Sequence, residues 1–304
     1  MNQVVCIAGP TASGKSALAI ELAKSSGGEV INADALQVYA DLRVLSARPS
    51  AREEASVPHH LFGHVDSAMR YSVGAWLRDV QPVILDVLAR GRVPIVTGGT
   101  GLYFKALIEG LAQVPVPSDT GKAKAAEYLA RGVGVLREKA QSLDPIATAR
   151  VLGDDPQRLL RIAEVALGTS KPLSEWQAQT NPIIPRGYWR GLVLLPDREA
   201  LYARINARFD GMAESGGYDE ARRLATRRLD PMLPAMKAIG LRELMAIEDG
   251  SMTKAEGLEK AKRETRRFAK RQYTWFRGQA PDWPKASAPN DIDAFRSSIT
   301  KARA

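Results

Sequence analysis

Cysteine is nearly absent: Cys6 is the only one in 304 residues, and it stands in an apolar run. One thiol closes no internal disulfide, so the sequence predicts a small buried core residue and a reduced, cytoplasmic setting. Histidine is almost as scarce. All three, His59, His60 and His64, fall within six residues. Pro58 and Gly63 oppose a regular helix there and the lone cysteine is distant, so loop histidines are expected rather than a zinc site. Long apolar runs are also missing. No window approaches roughly 18 uninterrupted apolar residues, and Met1-Asn2-Gln3-Val4-Val5 has no basic start to a leader. Neither a membrane span nor a secretory signal is expected. Acidic residues are short of balance, at 34 Asp and Glu against 43 Lys and Arg, for a net charge of +9.

A hydrophobic content of 45% with 25% charged residues excludes wholesale disorder and supplies a sizeable core. The positive charge is concentrated. Lys260, Lys262, Arg263, Arg266, Arg267, Lys270, Arg271 and Arg277 face a single acidic neighbour, Glu264. Such a stripe is either a solvated helix face or the footprint of a polyanion.

Val4–Ala8 is a short apolar run stopped by Gly9-Pro10 and reads as a buried strand. Lys15–Ser25 reads as a helix, Glu29–Ala33 as a second strand, and Val93–Thr97 as a third. Between them, Val73, Trp76, Leu77, Val80, Ile84, Val87 and Leu88 follow helical spacing, with Pro82 a candidate bend. Strands alternating with helices predict an α/β fold: a P-loop NTPase-like parallel sheet with helices on both faces. After Val114-Pro115-Val116-Pro117 only helical patterns follow, until an apolar run returns at Gly191–Leu195. The reading is a core of 1–115 and 188–280, an all-helical insertion over 116–187, and a tail over 281–304, small and polar beyond Pro284 and loosely held. In the last long helix Leu258, Ala261, Thr265, Phe268, Gln272 and Trp275 are expected to point inward.

Gly9-Pro10-Thr11-Ala12-Ser13-Gly14-Lys15-Ser16 fits G-x-x-x-x-G-K-[ST] between a strand and a helix. The glycines let backbone N–H groups close around a diphosphate, and the helix N-terminus adds its dipole. Lys15 supplies a point charge and Ser16 a ligand for Mg²⁺. The pattern leaves open which phosphate compound binds and whether a phosphoryl group moves. Asp34 and Thr100 follow the second and third strands, at the sheet edge where ligands of open α/β sheets bind. Asp34 reads equally as a turn carboxylate, and Thr100 as a helix N-cap.

Together these segments resemble the tRNA dimethylallyltransferase (isopentenyltransferase) family. The resemblance rests on the phosphate loop, Asp34-Ala35-Leu36-Gln37-Val38-Tyr39 and Gly98-Gly99-Thr100-Gly101-Leu102-Tyr103. Pro58-His59-His60-Leu61, Asp155-Pro156-Gln157-Arg158, Arg204-Ile205-Asn206-Ala207-Arg208-Phe209 and Lys270-Arg271-Gln272-Tyr273-Thr274-Trp275-Phe276-Arg277 extend it in order, to about residue 277. It implies a bacterial-type enzyme moving a dimethylallyl group from dimethylallyl diphosphate to the N6 amine of the adenosine 3′-adjacent to the anticodon, in tRNAs reading codons that begin with U. Asp34 resembles the general base, with Thr100 a second catalytic position. Gly9, Thr11, Ala12, Ser13, Gly14, Lys15, Ser16 and Arg208 resemble the residues holding diphosphate, with Thr100 beside them and Mg²⁺ on Ser16. Asp34, Ala35, Leu36, Gln37, Thr100, Lys122, Gln157, Arg158, Arg161, Lys237, Gly240 and Arg242 resemble contacts to the tRNA anticodon stem-loop. A monomer is expected.

The chain departs from the family pattern at Ala35, where the family has serine. Residues 43–49, Arg-Val-Leu-Ser-Ala-Arg-Pro, stand where Ile-Gly-Thr-Ala-Lys-Pro is expected. Phe62-Gly63 replaces Ile/Leu-Asp. Rival readings are a P-loop kinase using ATP, a prenyltransferase acting on free adenine nucleotide, and a silent RNA-binding protein. The kinase lacks a second magnesium-binding Asp after the third strand; the basic helix and the insertion argue for a macromolecular substrate.

Overall fold

The runs rich in valine and isoleucine form the centre of a parallel sheet, because strands covered on both faces need apolar side chains on both. The structure, a computed structural model, describes residues 3–289 together with Ile292 and Phe295. It divides into two units, Leu107–Ile183 and the remainder.

In the larger unit the chain runs β1 (Val4–Ala8), α1 (Lys15–Ser26), β2 (Gly28–Asn32), a single turn α2 (Ala51–Glu54), β3 (His59–His60), α3 (Val73–Ala89), β4 (Val93–Gly98) and into α4 (Gly101–Glu109). After the smaller unit it continues with β5 (Trp189–Leu194). The sheet order is β3-β2-β4-β1-β5 with one more strand beyond β5. Ala8 lies opposite Gly98, and Asn32 opposite Thr97, so β1, β2 and β4 end at one level. Their following loops leave the same edge. α3 passes through Pro82 without ending. β2 stops at Asn32, short of the expected Ala33, because Asp34 turns away on Asn32.

The smaller unit contains α5 (Asp119–Ala130), α6 (Val133–Leu143), α7 (Pro145–Ala149), α8 (Pro156–Gly168) and α9 (Leu173–Gln177). Asp155 caps α8 by accepting from the N–H groups of Gln157 and Arg158, with Pro156 at the first position. Leu136, Leu159, Ile162 and Ala163 fill its core. Its limits are Leu107 and Ile183 rather than the expected 116 and 187. Ile183 N donates to Leu107 O at 3.1 Å and Thr180 Oγ1 to Glu109 O at 3.0 Å. That neck places the Val-Pro-Val-Pro connection inside the unit.

The larger unit closes with α10 (Arg198–Met212), α11 (Tyr218–Thr226), α12 (Leu241–Glu248), α13 (Lys254–Gln279) and β6 (Lys285–Ala286). The inward stripe of α13 is Gly257, Ala261, Thr265, Ala269, Gln272 and Phe276. Leu258, Phe268 and Trp275 flank it half-buried, a correction to the sequence stripe. The expectation of a loose tail is overturned for 281–289. β6 pairs with β5 through Val193↔Lys285 and Leu194↔Ala286. Trp283 is buried against Gly191, Trp189 and Phe104. An otherwise open sheet edge and a large apolar ring supply the reason. Ile292 and Phe295 join the core around Leu18 and Leu22; the rest of the tail lies outside the described residues. Among the described residues no helix is long and apolar enough to cross a membrane.

Candidate functional site

The phosphate loop turns tightly enough that Ala12 adopts φ 62° and Gly14 φ 92°. An alanine held in the left-handed region marks a loop shaped by what it must present. Successive N–H groups in such a turn form an anion-binding concavity. Ser13 Oγ is buried with no hydrogen-bond partner, as expected of a donor shaped for a ligand. Lys15 is only 8% exposed and its ammonium donates to Pro10 O at 3.1 Å. Ser16 lies half-buried on the first turn of α1.

Two later helices fasten this loop. α10 buries Leu201, Ile205 and Phe209 and turns Arg208 to donate to Thr11 Oγ1. On α13, Gln272 Oε1 accepts from Thr11 N at 2.9 Å while its Nε2 donates to Gly99 O at 2.8 Å. Gln272 thus bridges the loop after β1 to the loop after β4. The sequence placed it on an inward stripe but gave it no role; a buried amide on such a stripe demands partners, and that is the signal available.

Asp34 is held by its backbone. Its N–H donates to Asn32 Oδ1 at 2.9 Å, and its carbonyl accepts from Asn32 Nδ2 at 3.0 Å. Its carboxylate accepts the Leu36 N–H at 2.9 Å, which leaves further lone pairs free. Thr100 Oγ1 accepts from Ala35 N at 2.9 Å, tying the loops after β2 and β4 together. Gln37 is buried and donates to Ser46 O and Ala47 O; Leu36 is half-buried. Trp76 donates its indole N–H to Asn32 O at 2.8 Å and stacks on Tyr103 at 4.4 Å. Asn32, Trp76 and Tyr103 went unassigned in the sequence because each acts through backbone or packing.

Charge links the two sides. Burial draws the Lys15 pKa down to about 8, Asp34 opposes that, and Arg208 adds to it. Burial also lowers the Arg208 pKa, and Asp34 again opposes. Burial and the Asp34 charge both push the Tyr103 phenol up. Lys15, Arg208, Asp34 and Thr100 therefore share one sheet edge: two cations and a ring of N–H groups beside one carboxylate. That arrangement can hold a polyanion and accept a proton close by.

The remaining predicted residues belong to other elements. Lys122 is on α5 and pairs with Asp119 at 2.9 Å. Gln157, Arg158 and Arg161 lie exposed on the first turns of α8. Lys237 and Arg242 are exposed in the larger unit, Arg242 donating to Pro231 O at 3.0 Å. Gly240 is buried at φ 91°, and a side chain there would meet the Phe209 ring at 2.5 Å, so close packing accounts for this glycine. The histidines are dispersed: His60 Nε2 is 2.7 Å from Glu29, His59 Nδ1 2.8 Å from Val57 O, and His64 Nε2 3.3 Å from the Tyr71 hydroxyl. Among the described residues no group of three His, Cys, Asp or Glu is placed to hold a metal ion.

The fold is that of a P-loop-like transferase. The family model described as IPP transferase matches residues 37–279, and one described as isopentenyl transferase matches residues 2–59. A tRNA dimethylallyltransferase of Maricaulis maris is 52% identical over 286 residues, covering 94% of this chain and 93% of its own. The chain belongs to the tRNA dimethylallyltransferase family. A Caulobacter relative of the same name is 51% identical over 299 residues, covering 98% of this chain and 97% of its own. The crystal structure of a tRNA isopentenylpyrophosphate transferase from Bacillus halodurans superposes with TM-score 0.67 at 32% identity, over 100% of this chain and 95% of that one. A eukaryotic dimethylallyltransferase, described as acting on tRNA, superposes with TM-score 0.77 at 28% identity, over 91% of this chain and 70% of that one.

Proposed function

We propose that the chain transfers the dimethylallyl group of dimethylallyl diphosphate to the N6 amine of the adenosine 3′-adjacent to the anticodon, in tRNAs reading codons that begin with U. The observation that carries this is the meeting of Asp34 with Lys15, Arg208 and the phosphate loop at one sheet edge. An exocyclic adenine amine is a poor nucleophile because its lone pair is delocalised into the ring. Asp34 takes one amine proton as nitrogen bonds the allylic carbon. The carbon–oxygen bond breaks and its electron pair leaves on diphosphate, where Lys15, Arg208 and the loop N–H groups meet the charge. Thr100 Oγ1 already accepts from Ala35 N, which leaves its proton free to donate to a diphosphate oxygen.

The oxygen donors suit Mg²⁺, which keeps several waters and binds through few protein groups plus substrate phosphates. The Ser16 hydroxyl would hold it with the diphosphate, and the ion would add charge neutralisation there. For tRNA, Lys122, Gln157, Arg158 and Arg161 on the helical unit, and Lys237 and Arg242 on the core, supply exposed polar contacts to the anticodon stem-loop. The outer face of α13, with Arg263, Lys270 and Arg277 exposed, suits its phosphates. The target base would be drawn out of its stack to meet the donor. The enzyme acts as a monomer in the cytoplasm in this reading.

The test is to incubate the protein with dimethylallyl diphosphate, Mg²⁺ and a tRNA carrying an adenosine-rich anticodon loop, then digest and examine the nucleosides by mass spectrometry. Wild type is expected to yield prenylated adenosine and Asp34→Ala almost none. Turnover with AMP as acceptor or ATP as donor, and none with tRNA, would overturn the reading.

A further inference from the structure

Two departures from the family pattern, Arg48 and Gly63, meet in space. The Arg48 side chain is 9% exposed. Its Nη1 reaches Tyr39 O only at 3.4 Å, and its Nε lies 3.9 Å from Glu54 Oε1. That carboxylate is held better by Arg43, at 3.0 Å. The Arg48 Nε is buried and makes no hydrogen bond. A guanidinium so poorly hydrogen-bonded is costly to bury, and Arg43 beside it adds a like charge, which the Glu54 and Glu220 charges offset only in part. Something other than pairing accounts for its position.

The Gly63 backbone accounts for it. Gly63 has φ 58°, and a Cβ built there would fall within the Arg48 guanidinium. The guanidinium fills the volume that a side chain at 63 would take, so each residue's identity depends on the other's. Behind that contact lies the segment that holds the base. Gly63 N donates to Gln37 O at 2.9 Å. Leu61 O accepts from Asn32 Nδ2 at 3.0 Å, and the same Asn32 amide holds both the N–H and the carbonyl of Asp34. Gln37 Nε2 in turn bonds Ser46 O and Ala47 O, immediately before Arg48. Glu220 fixes the start of the same loop, accepting from the N–H groups of Arg43, Val44 and Leu45 at 2.8, 2.6 and 2.9 Å. The circuit closes: loop 43–48, Gly63 and Leu61, Asn32 and Gln37, then Asp34.

We propose that Arg48 and Gly63 are an interlocked pair of positioning residues, the guanidinium wedged against 61–63 so that Asn32 and Gln37 hold Asp34 in place for proton transfer. The kinetic part of this rests on the prenyl-transfer reading; the mechanical part does not. Lysine at 48 keeps the charge but not the planar wedge, so it should restore function only in part.

The experiment compares wild type, Arg48→Ala, Arg48→Lys, Gly63→Ala and the double variant Arg48→Ala/Gly63→Ala by two readouts. In single-turnover prenyl transfer, Arg48→Ala is expected to slow the step by about tenfold to a hundredfold, the scale of small misplacements at a reacting group. KM for dimethylallyl diphosphate should stay within about twofold, since only the transition-state interaction is lost. The double variant should lose less than the product of the two single losses, because removing the guanidinium makes room for the new methyl group. In amide hydrogen exchange, Arg48→Ala should lose protection in peptides covering 34–40 and 60–65 while α1 stays protected as in wild type. Arg48→Lys gives the same comparison should Arg48→Ala not fold. Unchanged exchange over 34–40, or single losses that multiply fully, overturns the pair. The exchange readout needs no turnover, so a wild type that fails to prenylate tRNA, with Arg48→Ala still losing protection over 34–40, would sink the proposed function and leave the pair standing.

Discussion

Burial draws the Lys15 pKa down to about 8 against the pull of Asp34. A bound diphosphate adds negative charge and raises it again, so the ligand prefers the protonated lysine. The free-state pKa lies below the bound-state value; affinity is therefore complete below pH 8 and declines as pH rises through it. KM for dimethylallyl diphosphate measured at pH 7 and 9.5 should rise by about tenfold. A flat profile would remove the role given to the ammonium. Gln272 offers a second test at this scale. Gln272→Ala frees Thr11 N and Gly99 O together and should cost about 2 kcal/mol in kcat/KM, an order of magnitude or more. The phosphate loop was legible in the sequence because its spacing carries its chemistry, and the strand pattern put Asp34 and Thr100 at the same sheet edge, but their roles came only from the family resemblance. Gln272 and Asn32 were not legible, because a periodic stripe tells which side chains face inward and not which carbonyl or amide a polar member will find.

At the scale of elements, β2 carries a buried carboxylate at the end opposite the site. Glu29 is 1% exposed and accepts from Arg90, with Nη2 at 2.9 Å, while His60 stands at 2.7 Å and Arg92 at 3.5 Å. The Arg90 hydrogen bond pulls its pKa down to about 2, burial opposes, and His60 assists. Its folded pKa lies below the ordinary 4.5, so its stabilisation is present above that value and fades as pH falls towards 2. Glu29→Ala should cost about 2 kcal/mol by urea unfolding at pH 6, because the charged hydrogen bonds from Arg90 to Glu29 are lost while Arg90 keeps Asp86, and the gap should narrow at pH 3. A gap constant over that range would contradict the cluster. Sequence reading saw β2 but not the cluster, since His60 belongs to a two-residue strand that has no periodicity to detect. β6 was hidden for the same reason, although Trp283 beside it was a large apolar ring in a stretch otherwise read as solvated.

For the whole molecule, charge is the property most visible from sequence. α13 turns Gln272 and Phe276 inward and Arg263, Lys270 and Arg277 outward, as an amphipathic basic helix must. Reversing those three to Glu should raise KM for tRNA and flatten its dependence on salt, by roughly one unit of log–log slope per lost phosphate contact. KM for dimethylallyl diphosphate measures the other substrate and should hold; an unchanged salt slope would leave α13 a solvated face. The helical insertion was legible as a change of pattern, but its limits were not, because the residues that close it, Leu107 and Ile183, lie inside apolar segments on either side. That closure has an evolutionary reading. The chain departs and returns at two points already joined by a hydrogen bond. Lineages can lengthen, trim or replace what lies between without rethreading a single strand, so the parallel-sheet core and the helical module are free to diversify at different rates.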